Sequence, residues 1–329
     1  MPCRPFAVDR RLSLLGVALA AAVLCLALAP GRAEAAGCTA SVTNGAFGSV
    51  DLKAGGSATT TATLTFSCSG LTAGLPVTLC PNLDAGSAGY NSSGRLLAGP
   101  NSSSINFQIY QNSGLSQTWG TAYFLAFGAA PTLTVTVKSD GTASGSATLY
   151  GSLPAQAAVA PGTYQTTFSG ESFIWGLNLL SCAGVTIGSV INPPPFTFSA
   201  TILPDCTFSA TSPVSFGNQG ALSAPIAAQG SLTLACTPAT PFTIGLNGGL
   251  SNGAPTARLM TKGTESITYG LYIDSGLTQP WGAAGGAGSV YSGTGNGSSQ
   301  TVTVYGQTPA QNTPSPGYYS DTVVATMTF

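Results

Sequence analysis

The sequence predicts an all-β protein made of two tandem antiparallel β-sandwiches. Short segments rich in Thr, Val, Phe and Tyr, such as TATLTFSC (61–68) and TLTVTVKSDG (132–141), alternate apolar with polar residues and end in Gly, Ser or Asn turns. The chain has no long amphipathic helical pattern, and several blocks of sequence occur twice in the same order. Together these observations favour two copies of one β-rich domain.

The first 36 residues are predicted to be a cleavable secretory signal peptide. Three arginines precede the apolar stretch 12–29, and the small-residue motif AEA at 33–35 follows it. A transmembrane anchor and a lipoprotein attached at Cys38 are the alternatives. Cleavage after Ala35 or Ala36 would send the remaining chain to an oxidising, extracytoplasmic compartment.

The composition argues against catalysis and against nucleic-acid binding. Charged residues make up 6% of the chain and histidine is absent, so the commonest general base and zinc ligand is missing. The few Lys and Arg residues are too sparse to neutralise a row of phosphates. We therefore predict no enzyme activity, no metal and no cofactor. Asp84, Asp140 and Glu171 could be imagined as catalytic carboxylates, but their turn-rich surroundings predict solvated loop positions.

Four matched blocks define the two copies. They are GAFGSV (45–50) with the looser counterpart VSFGNQ (214–219), LTFSC (64–68) with LTLAC (232–236), Y-x-x-SGL-x-Q-x-WG at 110–120 and again at 272–282, and LYGSLPAQAAVAPGTY (149–164) with VYGQTPAQNTPSPGYY (304–319). We place the first domain at 37–195 and the second at 196–329. Because the SGL-x-Q-x-WG motif occurs in both copies, we interpret it as scaffold, with its Trp anchoring each sandwich.

Six cysteines remain after the predicted cleavage, an even number that favours disulfides. The separation between Cys38 and Cys68 equals that between Cys206 and Cys236, so these are predicted pairs. By elimination, Cys80 pairs with Cys182. The second copy has no counterpart of this third bond, which indicates that the first domain is specialised.

These repeated blocks resemble the spore coat protein U domain, whose members build the subunits of archaic, Csu-type chaperone-usher pili. The resemblance implies an incomplete immunoglobulin-like sandwich that lacks its last strand. A periplasmic pilus chaperone would supply that strand, and the N-terminal donor strand of the next pilin subunit would replace it after export through an outer-membrane usher. This is β-strand addition at an open sheet edge.

A candidate donor strand lies between the two copies. In residues 196–203 the apolar side chains alternate strictly with Thr and Ser; they are Phe196, Phe198, Ala200 and Ile202. We expect this strand to complete the first domain within the same chain. A plain linker is the alternative, favoured by the NPPP sequence at 192–195.

The second domain is expected to stay open. Four residues of its last strand share one face and are predicted to border an acceptor groove; they are Val323, Ala325, Met327 and Phe329. No further strand follows them. The alternative is that the missing strand lies elsewhere in the domain. Since only one or two residues would precede Cys38 after cleavage, the subunit is expected to accept a strand but not to donate one, which indicates the pilus tip.

Two apolar segments unique to the first copy are the candidate adhesive surfaces. The first contains Tyr123, Phe124, Leu125 and Phe127, and the second contains Ile174, Trp175, Leu177, Leu179 and Leu180. If exposed, they would bind hydrophobic abiotic or host surfaces by releasing water, at roughly 25 cal/mol per Å² of buried apolar area. The alternative is an additional buried strand for the first segment and core packing for the second. The loop 87–104, with Tyr90, Leu96 and Leu97, is a weaker candidate.

The resemblance implies a tip adhesin at the cell surface that supports attachment and biofilm formation. One rival function is a secreted glycan-binding module, because Trp119, Trp175 and surface Tyr residues could stack on sugars. A structural coat or fibre-shaft subunit is the other rival. Location along the fibre rather than at its end would distinguish that rival from a tip protein.

Overall fold

The computed structural model describes residues 35–329, so all but the last two residues of the predicted signal peptide lie outside the described residues. The described chain is built from strands, with two short 3₁₀ turns at Pro100–Ser102 and Leu125–Phe127. No helix within this part of the chain is long and apolar enough to cross a membrane. The predicted all-β fold of two tandem sandwiches is confirmed.

The first domain contains strands β1 to β13. They are β1 (Gly37–Val42), β2 (Gly45–Val50), β3 (Ala58–Ser69), β4 (Pro76–Pro81), β5 (Tyr90–Asn91), β6 (Gly94–Ala98), β7 (Ser104–Tyr110), β8 (Leu133–Thr136), β9 (Ala143–Leu153), β10 (Gly162–Phe168), β11 (Phe173–Leu177), β12 (Ser189–Ile191) and β13 (Phe196–Ile202). One sheet has the order β1-β3-β9-β7-β6-β10-β13-β2, with β5 beside β6. The other has the order β12-β11-β4-β8. One apolar core contains side chains from both sheets, as alternating strand patterns require.

Strand β13 is inserted into the larger sheet of the first domain. It pairs antiparallel with β10, from Phe168 opposite Phe196 to Gly162 opposite Ile202. On its other side it pairs in parallel with β2. Since β10 and β2 are not hydrogen-bonded to each other, β13 is the strand that joins them.

The second domain contains strands β14 to β21. They are β14 (Cys206–Ser212), β15 (Ile226–Cys236), β16 (Pro241–Leu246), β17 (Arg258–Lys262), β18 (Glu265–Tyr272), β19 (Tyr291–Thr294), β20 (Ser299–Thr308) and β21 (Ala325–Thr328). Its sheets have the orders β14-β15-β20-β18-β17 and β19-β16-β21. A second, smaller apolar core includes side chains from both.

The three predicted disulfides are present. Cys38–Cys68 and Cys206–Cys236 each join residues that lie directly opposite one another on paired strands. Cys80–Cys182 joins β4 to the connection between β11 and β12 and closes a sequence separation of 102 residues. Each domain therefore has one disulfide at the equivalent position, and the first domain has an additional one.

The repeated SGL-x-Q-x-WG motif anchors both sandwiches through its Trp. Trp119 and Trp281 are fully buried. The indole N–H of Trp119 donates to the carbonyl of Pro81 at 2.9 Å, and that of Trp281 donates to the carbonyl of Ile244 at 2.8 Å. A buried indole requires such a partner.

The junction between the domains is short and held by an ion pair. Only residues 203–205 separate β13 from β14. Lys53 Nζ lies 2.8 Å from Asp205 Oδ2 and donates to Thr207 Oγ1 at 2.9 Å. Lys53 belongs to the connection between β2 and β3, so the first domain contacts the start of the second directly.

Candidate functional site

The end of the first domain that lies away from the second domain is formed by three connections. Because Ile202 leads into the junction, the opposite end of β13 at Phe196 lies about 20 Å away, at roughly 3.3 Å per residue. The β4–β5 connection reaches this end, since the N–H of Ser87 donates to the carbonyl of Thr167 at 2.9 Å. The connections 111–132 and 169–172 contact the β4–β5 connection there, through the carbonyl of Gly120 and the side chain of Glu171. We call this the distal end.

Aromatic side chains of β5 and of the connection 111–132 form a distal aromatic cluster. It consists of Tyr90, Phe124 and Phe127, whose rings contact one another, together with Tyr123, which precedes Phe124 in the chain. The ring of Tyr90 lies 4.8 Å from that of Phe124 and 5.6 Å from that of Phe127, and the two Phe rings are 5.4 Å apart. Tyr90 and Tyr123 are 51% and 52% exposed, so the cluster presents apolar rings to the outside. Edge-to-face and tilted ring pairs of this kind hold one another in place.

The predicted segment 123–127 therefore contains both exposed residues and buried residues that support them. Tyr123 is exposed and Phe124 is half-buried, whereas Phe127 is buried. Leu125 begins the 3₁₀ turn Leu125–Phe127. The expectation that Phe127 contacts an external surface is corrected, because its ring lies under Tyr90 and Phe124 and against a buried guanidinium.

That guanidinium belongs to Arg95, which supports the cluster from below. Its Cζ lies 4.1 Å from the centre of the Phe127 ring, a cation–π contact that is stronger when desolvated. Its Nη2 donates to the carbonyls of Leu83 at 2.7 Å and Trp119 at 2.9 Å, and its Nε donates to the carbonyl of Asp84 at 2.7 Å. Burial lowers the pKa of Arg95 to about 9, so it stays charged at neutral pH. These bonds tie together the connections that carry the cluster.

Glu171 does not occupy the solvated position predicted for it. Asp84 and Asp140 are exposed as expected, but the Glu171 side chain is buried at the distal end. Its Oε2 accepts the backbone N–H of Asp84 at 3.0 Å. Burial raises the pKa of Glu171 to about 7. Two connections far apart in sequence thus meet at one carboxyl group, which the local turn chemistry could not indicate.

The second predicted segment is mostly core. Ile174 and Trp175 are buried, because β11 lies inside the four-stranded sheet between β4 and β12. Leu177 and Leu179 are half-buried. The expectation of an exposed surface is corrected for Ile174 and Trp175, which would have to leave the sheet to contact an external surface. Leu180, by contrast, is 96% exposed.

The Cys80–Cys182 bond holds the connection between β11 and β12 against the outside of β4. The two cysteines, Ile174 and Ala130 form a small separate core. Thr78 Oγ1 donates to the carbonyl of Leu179 at 2.8 Å and so fixes the start of the connection. Ile187 on this connection and Val190 of β12 are exposed. They were not predicted, since isolated apolar residues among Gly, Ser and Thr give no periodic signal.

The larger sheet of the second domain has no counterpart of β13. The bridge between Ser320 and Thr261 corresponds to the pairing of Gln165 with Ala98, so residues 318–324 follow the course of β10. Residues 214–219 correspond to β2 but pair with no strand. Among residues 35–329, no strand lies between these two segments. We call the space between them the open slot.

Side chains around the open slot are less buried than their counterparts in the first domain. Five residues in the apolar core that contains the β13 side chains are buried: Phe47, Leu97, Ile105, Tyr164 and Phe168. Their counterparts in the second domain are all half-buried: Phe216, Met260, Ile267, Tyr319 and Val323. Equivalent positions are therefore more exposed in the domain that has no strand at this place. The open slot is an exposed sheet edge beside an incomplete core.

The predicted lining of the acceptor groove is only partly correct. Val323 corresponds to Phe168 and borders the open slot. Ala325 and Met327 pack on the core from the opposite, three-stranded sheet, in which β21 pairs with β16. Phe329 follows the last paired residue of β21 and is 51% exposed. The chain passes into the facing sheet after Val324. The expectation that Ala325, Met327 and Phe329 line the slot is therefore corrected, because they lie in the facing sheet or directly after its last strand.

Of the aromatic residues considered for sugar stacking, the tryptophans are buried, whereas Tyr90 and Tyr123 are exposed at the distal end. Trp119, Trp175 and Trp281 are all buried and therefore present no face to a sugar. Within the part of the chain that the structure describes, no group of three or more His, Cys, Asp or Glu side chains could hold a metal ion.

The sequence matches a known family in both domains. The family model of the Spore Coat Protein U domain matches residues 25–170 and 194–326. Protein U of Myxococcus xanthus is 38% identical over 117 residues, which cover 33% of this chain and 64% of that protein. The chain thus spans about 64% of the length of this curated relative.

Solved structures that align with this chain include two that contain adhesin subunits. The CsuC–CsuE chaperone–tip adhesion subunit pre-assembly complex of archaic Csu pili from Acinetobacter baumannii aligns with 18% identity and a TM-score of 0.45, covering 89% of this chain and 100% of that one. The CupB6 tip adhesin of Pseudomonas aeruginosa aligns with 10% identity and a TM-score of 0.34, covering 83% and 86%.

Proposed function

The chain belongs to the Spore Coat Protein U domain family, and from this premise we propose that it is the tip adhesin subunit of a chaperone-usher pilus. The first domain contacts hydrophobic surfaces, and the second domain joins the fibre. Attachment through the first domain supports biofilm formation. The subunit travels through the periplasm to the cell surface.

The observation that carries this proposal is the difference between the two larger sheets. In the first domain β13 fills the position between β10 and β2, and its apolar residues Phe196, Phe198, Ala200 and Ile202 are all buried. In the second domain the corresponding position is the open slot. One domain is therefore complete within the chain, and the other has room for a strand from another chain.

This arrangement gives the subunit two different ends. The open slot accepts a strand first from a periplasmic chaperone and then, after passage through an outer-membrane usher, from the next pilin subunit. The first domain needs no strand from another protein, so it occupies the end of the fibre. Its distal end, with the distal aromatic cluster, then faces outward.

Contact by the distal aromatic cluster would be driven by release of water. Tyr90 and Tyr123 are about half-exposed, and Leu180 and Ile187 add apolar surface on the same domain. Covering about 200 Å² of such surface stabilises the contact by roughly 5 kcal/mol at 25 cal/mol per Å². Many pili on one cell would multiply this through avidity.

Attachment of piliated cells to polystyrene tests the adhesive role. We expect the triple variant Tyr90→Ser, Tyr123→Ser, Phe124→Ser to lose at least tenfold in attachment while piliation is unchanged. The matched control is Leu250→Ser, which removes an exposed apolar side chain from the second domain. Hydrophobic contact should also persist at high salt. Unchanged attachment of the triple variant, or attachment that free sugars abolish, would contradict the proposal.

Assembly is tested by periplasmic co-expression with an archaic pilus chaperone. We expect a one-to-one complex and rapid loss of the subunit without the chaperone, because an open slot exposes core side chains. Gold labelling of the first domain should mark fibre ends. Labelling along the whole fibre would indicate a shaft or coat subunit instead, and an abundant, stable monomer without chaperone would contradict the open slot.

A further inference from the structure

At one point along the open slot, the surrounding side chains differ from those around β13 in the first domain. In the first domain Phe198 lies directly opposite Thr166 of β10. Its ring lies 5.7 Å from that of Phe107. A Cβ on Gly45 would lie 2.4 Å from the Phe198 ring, and one on Gly151 would lie 3.0 Å from it. The absence of side chains at these two glycines makes room for the large ring.

The counterparts of these residues in the second domain are larger or more polar. Tyr269 replaces Phe107, and Asp321 replaces Thr166. Val214 stands where the first domain has Gly45. Its Cγ1 lies 2.5 Å from the position that a Cβ on Gly306, the counterpart of Gly151, would take. Val214 therefore extends over the glycine that Phe198 covers in the first domain.

Asp321 points into the domain and is bound on both oxygens. Its Oδ2 accepts the hydroxyl proton of Tyr269 at 2.7 Å. Its Oδ1 accepts the backbone N–H groups of Leu250 and Thr322, both at 2.8 Å. A carboxylate offers about four acceptor sites, so Oδ2 retains capacity for one further donor. A strand entering the slot would bury this carboxylate, which is costly unless it gains a hydrogen bond.

We propose that the strand that fills the open slot carries a small hydrogen-bond donor, of the Ser or Thr class, at the residue opposite Asp321, and that Val214, Tyr269 and Asp321 select against a large aromatic there. The inference rests on the proposed function, since it describes the partner of the proposed acceptor slot. It assigns a specificity role to three residues. It also means that the strand accepted by this domain differs in sequence from β13.

The test uses the full chain with a strand tethered after Phe329. A flexible Gly/Ser linker somewhat longer than residues 178–195 is followed by a copy of FTFSATI, in which the residue corresponding to Phe198 is Phe, Val or Thr. A scrambled copy is the reference. The Thr and Val side chains have nearly the same shape, so the difference in unfolding temperature between these two strands measures the hydrogen bond. The strand with Phe measures the effect of side-chain size. The readout is the unfolding temperature of the second domain, with the transition of the first domain as an internal control.

We expect Thr to raise the unfolding temperature above Val by about 3–6 °C, which corresponds to one hydrogen bond in a domain of this size, and Phe to give the lowest value of the three. In the double variant Tyr269→Phe, Asp321→Thr, the advantage of Thr over Val should disappear. If all three strands stabilise the domain equally, or Phe stabilises it most, the inference is wrong although the slot exists. If none differs from the scrambled copy, the acceptor slot of the proposed function is itself wrong.

Discussion

A buried arginine at the same place in each domain shows how single residues hold both sandwiches. Arg95 and Arg258 are fully buried. Like Arg95, Arg258 donates to backbone carbonyls, including those of Asn247 at 2.8 Å and Trp281 at 2.8 Å. The planar guanidinium reaches several carbonyls at once, which a lysine cannot. These contacts fix the Trp of the repeated motif to the neighbouring connections.

Arg95→Met and Arg258→Met should each destabilise their own domain. Several buried carbonyls would lose their donor, so we expect the free energy of unfolding to fall by about 3 kcal/mol in each case. Urea unfolding measures the loss. The control is Lys138→Met, which removes an exposed cation from the first domain and should change stability by less than about 0.5 kcal/mol. Equal effects of Arg95→Met and Lys138→Met would contradict the role of the buried guanidinium.

Glu171 predicts a pH dependence of the first domain. An unfolded glutamate titrates near 4.5, and burial raises the pKa of Glu171 to about 7 in the fold. Between these values the folded protein binds more protons than the unfolded chain, so stability falls as pH rises from about 4.5 to 7. The loss amounts to at most about 3 kcal/mol at 1.36 kcal/mol per unit of pKa.

Urea unfolding of Glu171→Gln at pH 4.5 and pH 8 checks this dependence. The amide keeps an oxygen acceptor for the N–H of Asp84 but does not ionise. We expect the first domain of the variant to lose less stability between the two pH values than that of the unaltered protein. The same pH dependence in both proteins would show that another group is responsible.

At the scale of strands, β13 could be predicted from the sequence because its apolar and polar residues alternate in a simple pattern. Strict alternation of Phe196, Phe198, Ala200 and Ile202 with hydroxyl residues indicates a strand with one buried face. The FIW run at 173–175 was ambiguous, since a continuous apolar run fits both an exposed adhesive segment and a strand covered on both faces. The burial of Glu171 depends on contacts with residues about 87 positions away. Such contacts leave no local pattern.

The two faces of β13 should respond differently to substitution. Phe198→Ala would leave a cavity among Phe47, Phe107 and Phe168 and cost about 3–5 kcal/mol. Thr201→Ala, on the exposed face of the same strand, should cost less than about 1 kcal/mol. Chemical denaturation of the two variants gives the comparison. Similar small losses would mean that β13 contributes little to the stability of the first domain.

At the scale of the whole molecule, the two domains should unfold separately. The first domain is completed by β13 and has two disulfides, whereas the second has an open slot and one disulfide. The ion pair between Lys53 and Asp205 is partly exposed and contributes at most about 1 kcal/mol to coupling them. We therefore expect two transitions in differential scanning calorimetry, with the second domain unfolding at the lower temperature.

The matched arginine variants assign these transitions. A loss of about 3 kcal/mol lowers the unfolding temperature of a domain of this size by about 10 °C. Arg258→Met should move only the lower transition, and Arg95→Met only the upper one, because each guanidinium contacts carbonyls of its own domain. A single transition that both variants shift equally would show that the short junction couples the domains into one unfolding unit. The reverse assignment would show that the second domain is the more stable one despite its open slot.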